Sequence, residues 1–368
     1  MPDEPVVIKC LIWDLDHTLW QGTLLEDPDV RLPDEVRNVI VTLDARGILQ
    51  SIASKNDHDL AWARLEELGV AEYFVHPRIN WGRKSDSVTA IAEQLNFALT
   101  TIAFVDDLPS ERAEVAFRAP EVRCYSADQV TSLLSRPEFR PATVTADARR
   151  RRQMYQAGIR REAEKQSFTG PDEEFLRTLD LVMTIKRADQ EELSRVEELT
   201  LRTSQMNATG VHYSGEVLRR LLDDPAHEVL TVALTDRFGP HGAVGVLLLE
   251  YRDMLWHLKL LATSCRVVSF GAGAAILNWL IDQAARGGAH LAADFRPTDR
   301  NRMMEVAYRF AGFTSEACAC LTQLGPDGGG DIQHLHLQPA FTIPATTMKL
   351  ISPDLSAGRV AGQAGPAR

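Results

Sequence analysis

The sequence has no apolar run long enough to cross a bilayer, and its first residues lack the uninterrupted apolar core of a signal peptide. Both absences lead to the expectation of a cytoplasmic protein without a membrane partner. Cysteine is scarce too. The five cysteines, Cys10, Cys124, Cys265, Cys318 and Cys320, are an odd number without framework spacing, so free thiols are expected rather than disulfides. Cys318-Ala319-Cys320 is too sparse for a zinc site and reads as packing. Positive charge is in the minority: 40 Lys and Arg against 51 Asp and Glu leave a formal charge of −11, which argues against general nucleic-acid binding. A length of 368 residues leaves room for two or three domains.

What is present begins with the apolar stretch Lys9-Cys10-Leu11-Ile12, which runs into Trp13-Asp14-Leu15-Asp16-His17-Thr18. Two carboxylates two residues apart at a strand's end suit phosphoryl transfer, one attacking phosphorus while the other protonates the leaving oxygen and then activates water. Two acids in a loop are more often a solvated turn, so the downstream residues matter. Ile48 to Ala53 reads as a second strand ending in Ser54-Lys55-Asn56-Asp57 at a helix start, where free N–H groups favour an anion. Lys84 opens the helical pattern Val88 to Leu95 and could neutralise a phosphate oxygen. Thr101 to Val105 reads as a third strand ending in Asp106-Asp107. With Asp14, these carboxylates could hold Mg²⁺, which binds through few carboxylates plus water and phosphate.

Strand-Asp-x-Asp-x-Thr, strand-Ser, Lys and strand-Asp-Asp, in that order, resembles the haloacid dehalogenase (HAD) superfamily of phosphotransferases. The resemblance implies Asp14 as nucleophile, Asp16 as acid/base, Thr18 and Ser54 as phosphate-binding residues, and Lys84 as the group stabilising the phosphorylated intermediate. It also implies Mg²⁺ ligation by Asp14, Asp106 and the Asp16 main-chain carbonyl, with Asp107 as an extra ligand through water. The segment between the first two motifs is too short for a large cap, so the site would be open to a phosphate on a bulky partner. His17 stands where the family more often has Asn.

The expected organisation is a HAD-like domain over residues 1–136, a helical linker over 137–175, a second α/β domain over 176–350 and a disordered tail over 351–368. The linker carries Arg149 to Arg152, either a docking face for an acidic carrier protein or, more commonly for a charge run, a solvated helix face. In the second domain, strands are expected at Leu181–Ile185, Val229–Leu234, Ala243–Tyr251, Trp256–Ala262 and Ala289–Phe295, with a hairpin loop at Asp236–Gly242. Helices are expected from Glu191 to Thr203 and from Ala274 to Arg286.

A strand leading into Gly271-Ala272-Gly273 before a helix, followed by Asn301, Tyr308 and Gly312-Phe313, resembles the GNAT acyltransferase fold. That likeness implies a thiol carrier's phosphate at the helix N-terminus near Arg266, Gly271 and Gly273, and Tyr308 as a proton donor to a leaving thiolate. Val268 and Phe270 depart from the usual GNAT loop, which has polar or basic residues there. His212 and His241 are read as surface or packing residues.

The two halves together resemble the FkbH-like glyceryl transferase/phosphatases of polyketide pathways. Lys9 to Trp20, Ser54 to Asp57, Phe104 to Asp107, Gln205 to Gly210 and Ser264 to Val267 carry the likeness. It implies a Rossmann-like parallel-sheet phosphatase domain with a minimal cap, followed by a GNAT-like domain. It also implies transfer of the glyceryl unit of 1,3-bisphosphoglycerate to the phosphopantetheine thiol of an acyl carrier protein, with phosphate removal. Cys265, beside Arg266, and Cys10, inside the first strand, compete as the covalent thiol, and burial in packing is the ordinary fate of either. The alternative is a Mg²⁺-dependent HAD phosphatase of small molecules with a GNAT-like module that only binds a carrier.

Overall fold

Apolar runs that end in polar residues become parallel strands in the first part of the chain. The structure, a computed structural model, describes residues 6–27, 29–141, 143–190, 192–202, 206–324, 331–340 and 346–357. Contacts divide it into two compact units, residues 1–159 and 160–368.

The first unit alternates strand and helix: β1 (Cys10–Trp13), α1 (Asp34–Ala45), β2 (Leu49–Ser54), α2 (His58–Glu67), β3 (Arg78–Ile79), α3 (Lys84–Leu95), β4 (Ile102–Asp106), α4 (Pro109–Arg118) and β5 (Arg123–Ser126). The strands lie side by side in the order β3-β2-β1-β4-β5, all parallel. Every residue of β1, β2 and β4 is buried, as expected for a parallel sheet covered on both faces. The two-residue period sorts the side chains. Leu11, Trp13, Ala103 and Val105 join the core of Val39, Ile40 and Leu43 from α1, while Cys10, Ile12 and Phe104 pack with Val88 and Ile91 of α3 and Val115 of α4. Truncating one of these leucines or isoleucines to Ala should cost ~2–5 kcal/mol. Because β2 and β3 extend one side of β1 while β4 and β5 extend the other, the carboxyl ends of β1 and β4 border the crevice where ligands of open α/β sheets bind.

After β5 come α5 (Ala146–Arg149) and α6 (Arg151–Ser167), the latter crossing the division between the units. Gly47 is required here twice over: its φ is +74°, and a Cβ would lie 2.6 Å from the Ala148 carbonyl oxygen. The expected arginine docking face is only half free. Arg151 donates to the Gly47 carbonyl at 2.8 Å, and Arg152 pairs with Asp44 at 3.0 Å and Glu72 at 3.2 Å while covering the Tyr73 ring. These two arginines hold the first unit together, and Arg149 and Arg150 remain exposed.

The second unit comprises α7 (Asp172–Thr178), β6 (Val182–Arg187), α8 (Leu193–Arg202), α9 (Gly215–Asp223), β7 (His227–Asp236), β8 (Gly239–Arg252), β9 (Leu255–Thr263), α10 (Ala272–Arg286), β10 (His290–Phe295), α11 (Arg302–Phe310), β11 (Gln333–Leu337) and β12 (Lys349–Ile351). Its seven strands run β11-β10-β9-β8-β7-β6-β12. The β9–β10 and β6–β12 pairs are parallel and the others antiparallel. This is the two-part α/β architecture expected, a parallel-sheet unit followed by a mixed-sheet unit, with the β7–β8 hairpin turning at Arg237-Phe238. Strands β11 and β12 were not anticipated. Within the stretch expected as a disordered tail, residues 351–357 are placed: Ile351 is in β12, and Leu355 is 1% exposed and donates its N–H to Gln283 Oε1 at 2.8 Å. The rest of that stretch, residues 358–368, lies outside the described residues, as does Gln205. Among the described residues no helix is long and apolar enough to cross a membrane.

One buried ionic knot organises the hairpin. The Asp236 carboxylate meets Arg161 Nε at 2.5 Å and His241 Nε2 at 3.0 Å, and it accepts from the Phe238 and Gly239 N–H groups. His241 is thus a packing residue, edge-on to Phe270. Burial opposes the charge on Asp236, but the bonds from His241 and Arg161 outweigh it and hold the pKa below the ordinary carboxylate range. A depressed folded pKa adds stability above the unfolded value of about 3.9 that is lost as pH falls. Asp236→Asn should therefore cost ~3–5 kcal/mol at neutral pH by stranding Arg161, and the penalty should shrink below about pH 4, as urea titration at several pH values would measure.

Candidate active site

Asp14 is the first residue beyond β1, Asp106 the last of β4 and Lys84 the first of α3, so three elements deliver them to one point. Asp14 and Lys84 are 5% and 4% exposed and Asp106 is fully buried. Lys84 Nζ lies 2.7 Å from Asp14 Oδ1 and 2.5 Å from Asp106 Oδ2. The backbone fixes both acids: the Asp14 N–H donates to the Val105 carbonyl at 3.0 Å, and Asp106 Oδ1 accepts from the Leu108 N–H at 2.8 Å.

Electrostatics follow from this burial. Desolvation is the largest influence on Asp14; it outweighs the Lys84 attraction and, helped by Asp106, pushes the pKa up to about 6. Asp106 is likewise raised, by burial first. Burial opposes the charge on Lys84, but the two carboxylates together overcome it and raise its pKa. The ammonium thus stays charged beside two carboxylates that lack full compensation.

The remaining predicted residues gather round this centre. Ser54 hydrogen-bonds Asp14. Thr18 Oγ1 accepts from the Asp107 N–H at 2.9 Å and lies 3.5 Å from Asp14 Oδ2 and 3.4 Å from Asp107 Oδ1. Carboxylate oxygens of Asp14, Asp106 and Asp107 all lie within 4.8 Å of one another. An all-oxygen set of three acids suits a hard divalent cation, and the raised pKa values of Asp14 and Asp106 mark an unmet demand for positive charge. The donors therefore fit Mg²⁺.

The Asp16 carboxylate stands outside that group. Its Oδ1 accepts from Trp20 Nε1 at 2.7 Å and the Leu24 N–H at 3.0 Å, and its Oδ2 from Asn56 Nδ2 at 3.0 Å. Between it and Thr18, His17 takes the left-handed φ of +55° and sets Nε2 3.0 Å from Thr23 Oγ1. Histidine, like Asn, is among the non-glycine residues enriched in that conformation.

Several supporting residues went unrecognised in the sequence. Asn56 and Trp20 hold Asp16, and Arg112 Nη1 donates to the carbonyls of Asp106 and Asp107 at 2.6 and 2.7 Å. Glu114 of α4 takes the Ser85 hydroxyl at 2.6 Å and the Ser85 N–H at 3.1 Å, capping α3 beside Lys84. Asn56 and Trp20 lie inside stretches the sequence singled out, Ser54–Asp57 and Lys9–Trp20, while Arg112 and Glu114 carried no sequence signal.

In the second unit the expected residues are more dispersed. Cys265 is exposed at the start of a 3₁₀ turn, Cys265–Phe270, and Arg266 Nε turns back to Ser264 Oγ at 3.3 Å. Gly271 adopts φ +75° immediately before α10, while neither Gly271 nor Gly273 has anything within 4 Å of an added Cβ. Conformation demands the first glycine; no close contact demands either. A cleft of about 520 Å³ lies beside α10, lined by Phe270, Gly271 and Trp279 among others, and neither Cys265 nor Arg266 borders it.

Tyr308 does not lie at an accessible carrier site. It is fully buried among Phe295 and Phe313, its hydroxyl has no hydrogen-bond partner among the described residues, and burial followed by the Asp294 charge drives its pKa upward. Asn301 is a tie, donating to the carbonyls of Asn207, Ala208 and Arg296. Cys10 is completely buried inside β1, and burial drives its pKa upward, as for a cysteine that serves packing. His212 is half-exposed, 2.9 Å from Thr200 Oγ1.

No family model matches this sequence, and no curated protein matches it. Solved structures do. The N-terminal part of BF1531 from Bacteroides fragilis, containing a phosphatase domain complexed with Mg, is 27% identical over 32% of this chain with a TM-score of 0.31. The match spans 36% of that protein, little more than a third of its length. The ribosomal-protein-S18-alanine N-acetyltransferase of Escherichia coli is 18% identical, covering 42% of this chain and 91% of that one, at TM-score 0.31. Tetrahymena GCN5 is 15% identical, covering 43% and 97%, at TM-score 0.32.

Two outcomes follow from the geometry. Mg²⁺ at a hundred times its dissociation constant should stabilise the chain by about 2.7 kcal/mol in thermal unfolding, and Asp106→Asn should abolish most of that response. Glu114→Gln should leave the fold intact but weaken the Ser85 bonds by about 1 kcal/mol and loosen Lys84, visible as faster amide exchange in the first turn of α3.

Proposed function

We propose that the chain is a glyceryl transferase/phosphatase, which loads a glyceryl unit from 1,3-bisphosphoglycerate onto the phosphopantetheine thiol of an acyl carrier protein and removes the remaining phosphate. The buried Asp14–Lys84–Asp106 centre carries the phosphatase half of this reading. Its two carboxylates and fixed ammonium, with Asp107 close by at the mouth of a parallel sheet, support reading Asp14 as the nucleophile and the acids as a cation-binding set. Family resemblance supports the glyceryl and carrier assignments.

In the transfer, a thiolate attacks the carbonyl carbon of the acyl phosphate, and phosphate leaves with the electrons of the broken C–O bond. Cys265 is the proposed first acceptor: it is exposed, and a carrier arm could then take the acyl group as its own thiolate attacks the enzyme thioester and releases the Cys265 thiolate. In the dephosphorylation, an Asp14 oxygen attacks phosphorus, the P–O ester bond breaks, and the glyceryl oxygen takes a proton from Asp16. Water then attacks the aspartyl-phosphate, Asp16 accepts a water proton, and phosphate departs to restore Asp14. Lys84, already 2.7 Å from Asp14, offsets the charge gathering on the phosphoryl oxygens, and Thr18 and Ser54 orient them. Mg²⁺ held by Asp14, Asp106 and Asp107 would supply further electrophilic stabilisation.

Intact-protein mass spectrometry of a carrier protein incubated with 1,3-bisphosphoglycerate, Mg²⁺ and the enzyme tests this reading. The wild type should add a glyceryl mass. Asp14→Asn should slow phosphate removal by about a thousandfold or more and leave the phosphoglyceryl adduct on the carrier. Cys265→Ala should abolish loading, and Cys10→Ala should not. No carrier adduct with the wild type would overturn the transfer reading and leave a Mg²⁺-dependent phosphatase with a carrier-binding module. Full loading by Cys265→Ala would remove that thiol from the chemistry.

A further inference from the structure

One face of the sheet formed by β9, β10 and β11 is unusually rich in histidine. On β10, His290, Ala292 and Asp294 share a face because they are two residues apart, and the antiparallel register sets His336 opposite Ala292 and His334 opposite Asp294. His257 of β9 stands beside Ala292. Two clusters result. In one, Asp294 Oδ1 lies 2.6 Å from His257 Nε2 and 2.8 Å from His334 Nδ1, a carboxylate shared by two imidazoles.

The other cluster has a different chemistry. His290 Nδ1 lies 3.0 Å from His336 Nε2 and 3.5 Å from Cys318 Sγ. Cys320 joins them, and one ligand atom from each of the four residues falls within 4.8 Å of all the others. Cys320 and His336 are each 9% exposed, and Cys320 packs on Ala292, the residue between the histidines on this face. Both cysteines are free. The pair that reads as packing in the sequence is therefore matched by two histidines that arrive from distant strands.

We propose that His290, Cys318, Cys320 and His336 form a structural zinc site. Tetrahedral zinc with bonds of about 2.3 Å to sulfur and 2.0–2.1 Å to nitrogen requires ligand atoms about 3.3 Å apart for two nitrogens and about 3.6 Å apart for nitrogen and sulfur. The observed 3.0 and 3.5 Å are close to those edges without any rearrangement of the backbone. Two thiolates and two imidazoles form a borderline-soft donor set that excludes magnesium and calcium, and four protein ligands close the coordination sphere to water. The two cysteines flank the start of the 3₁₀ turn Ala319–Leu324, while His336 lies on the edge strand β11. A bound ion would pin both segments to β10. It would also hold His334, two residues along β11, against Asp294, so the metal positions one histidine of the neighbouring cluster without touching it.

Elemental analysis of the full chain, purified under reducing conditions and reconstituted with zinc, tests the site. The expected result is about one zinc per chain, retained by Cys124→Ser and lost by Cys318→Ser and by His336→Ala. Cobalt in place of zinc should give the thiolate charge-transfer band and the intense d–d bands of tetrahedral Co²⁺ in the wild type, a readout that does not depend on any variant folding. Chelation should speed amide exchange in Gln333–Leu337. No zinc in the reconstituted wild type, full zinc in a folded Cys318→Ser chain, or an octahedral cobalt spectrum would each overturn the proposal. Iron or copper bound in preference to zinc at the same ligands would overturn the choice of metal, and unchanged exchange on chelation would overturn its structural role.

Discussion

The first unit depends on one buried cation. Lys84 joins the ends of β1 and β4 through Asp14 and Asp106, and without it two carboxylates would face each other in the low-dielectric core of a parallel sheet. Removing a carboxylate or an ammonium from water costs several kcal/mol each, and a lone partner cannot restore that loss. The arrangement persists because hydrogen bonds complete it. Leu108 serves Asp106, Ser54 serves Asp14, and Glu114 holds the helix turn from which Lys84 projects. Even so, both acids keep raised pKa values, so the centre is short of positive charge by design of its burial rather than by a missing contact. An all-oxygen set of acids with that deficit has the donor chemistry a hard divalent cation takes.

What the sequence made legible was the placement of charge at strand ends. Apolar runs before Asp14, Ser54 and Asp106 identify buried parallel strands because both faces of such a strand are covered, and polarity returns only where the strand leaves the sheet. The same logic recovered β6 to β10. It failed at β11, Gln333-His334-Leu335-His336-Leu337, where alternation is present but the polar partners are histidines that look like surface residues until β10 is laid beside them. It failed also for long-range ties. Glu114 lies 29 residues from Ser85 and Asn301 lies 94 from Asn207, and no local pattern marks such pairs. Arg151 and Arg152 belong to the same class: a charge run signals exposure, and only the fold reveals that two of its members are consumed by Gly47, Asp44 and Glu72.

The second unit distributes its constraints differently. Its core is apolar, and its polar residues work mainly as fasteners. Asn301 secures the loop around Asn207, and Asp236 secures the β7–β8 turn to Arg161. Gly271 lets the chain enter α10 through a left-handed residue. Asn301 and Tyr308, two residues that the sequence singled out, are both interior, one bonded to three carbonyls and the other sealed among aromatic rings.

The Asp16 carboxylate has a consequence for the loop that follows β1. Its three donors come from Trp20, from the Leu24 backbone and from Asn56 on the loop after β2, so it is the clasp that ties residues 16–24 to that loop. One side chain thereby fixes the course of this loop, and a replacement that accepts fewer hydrogen bonds would leave donors on both sides of the clasp without a partner.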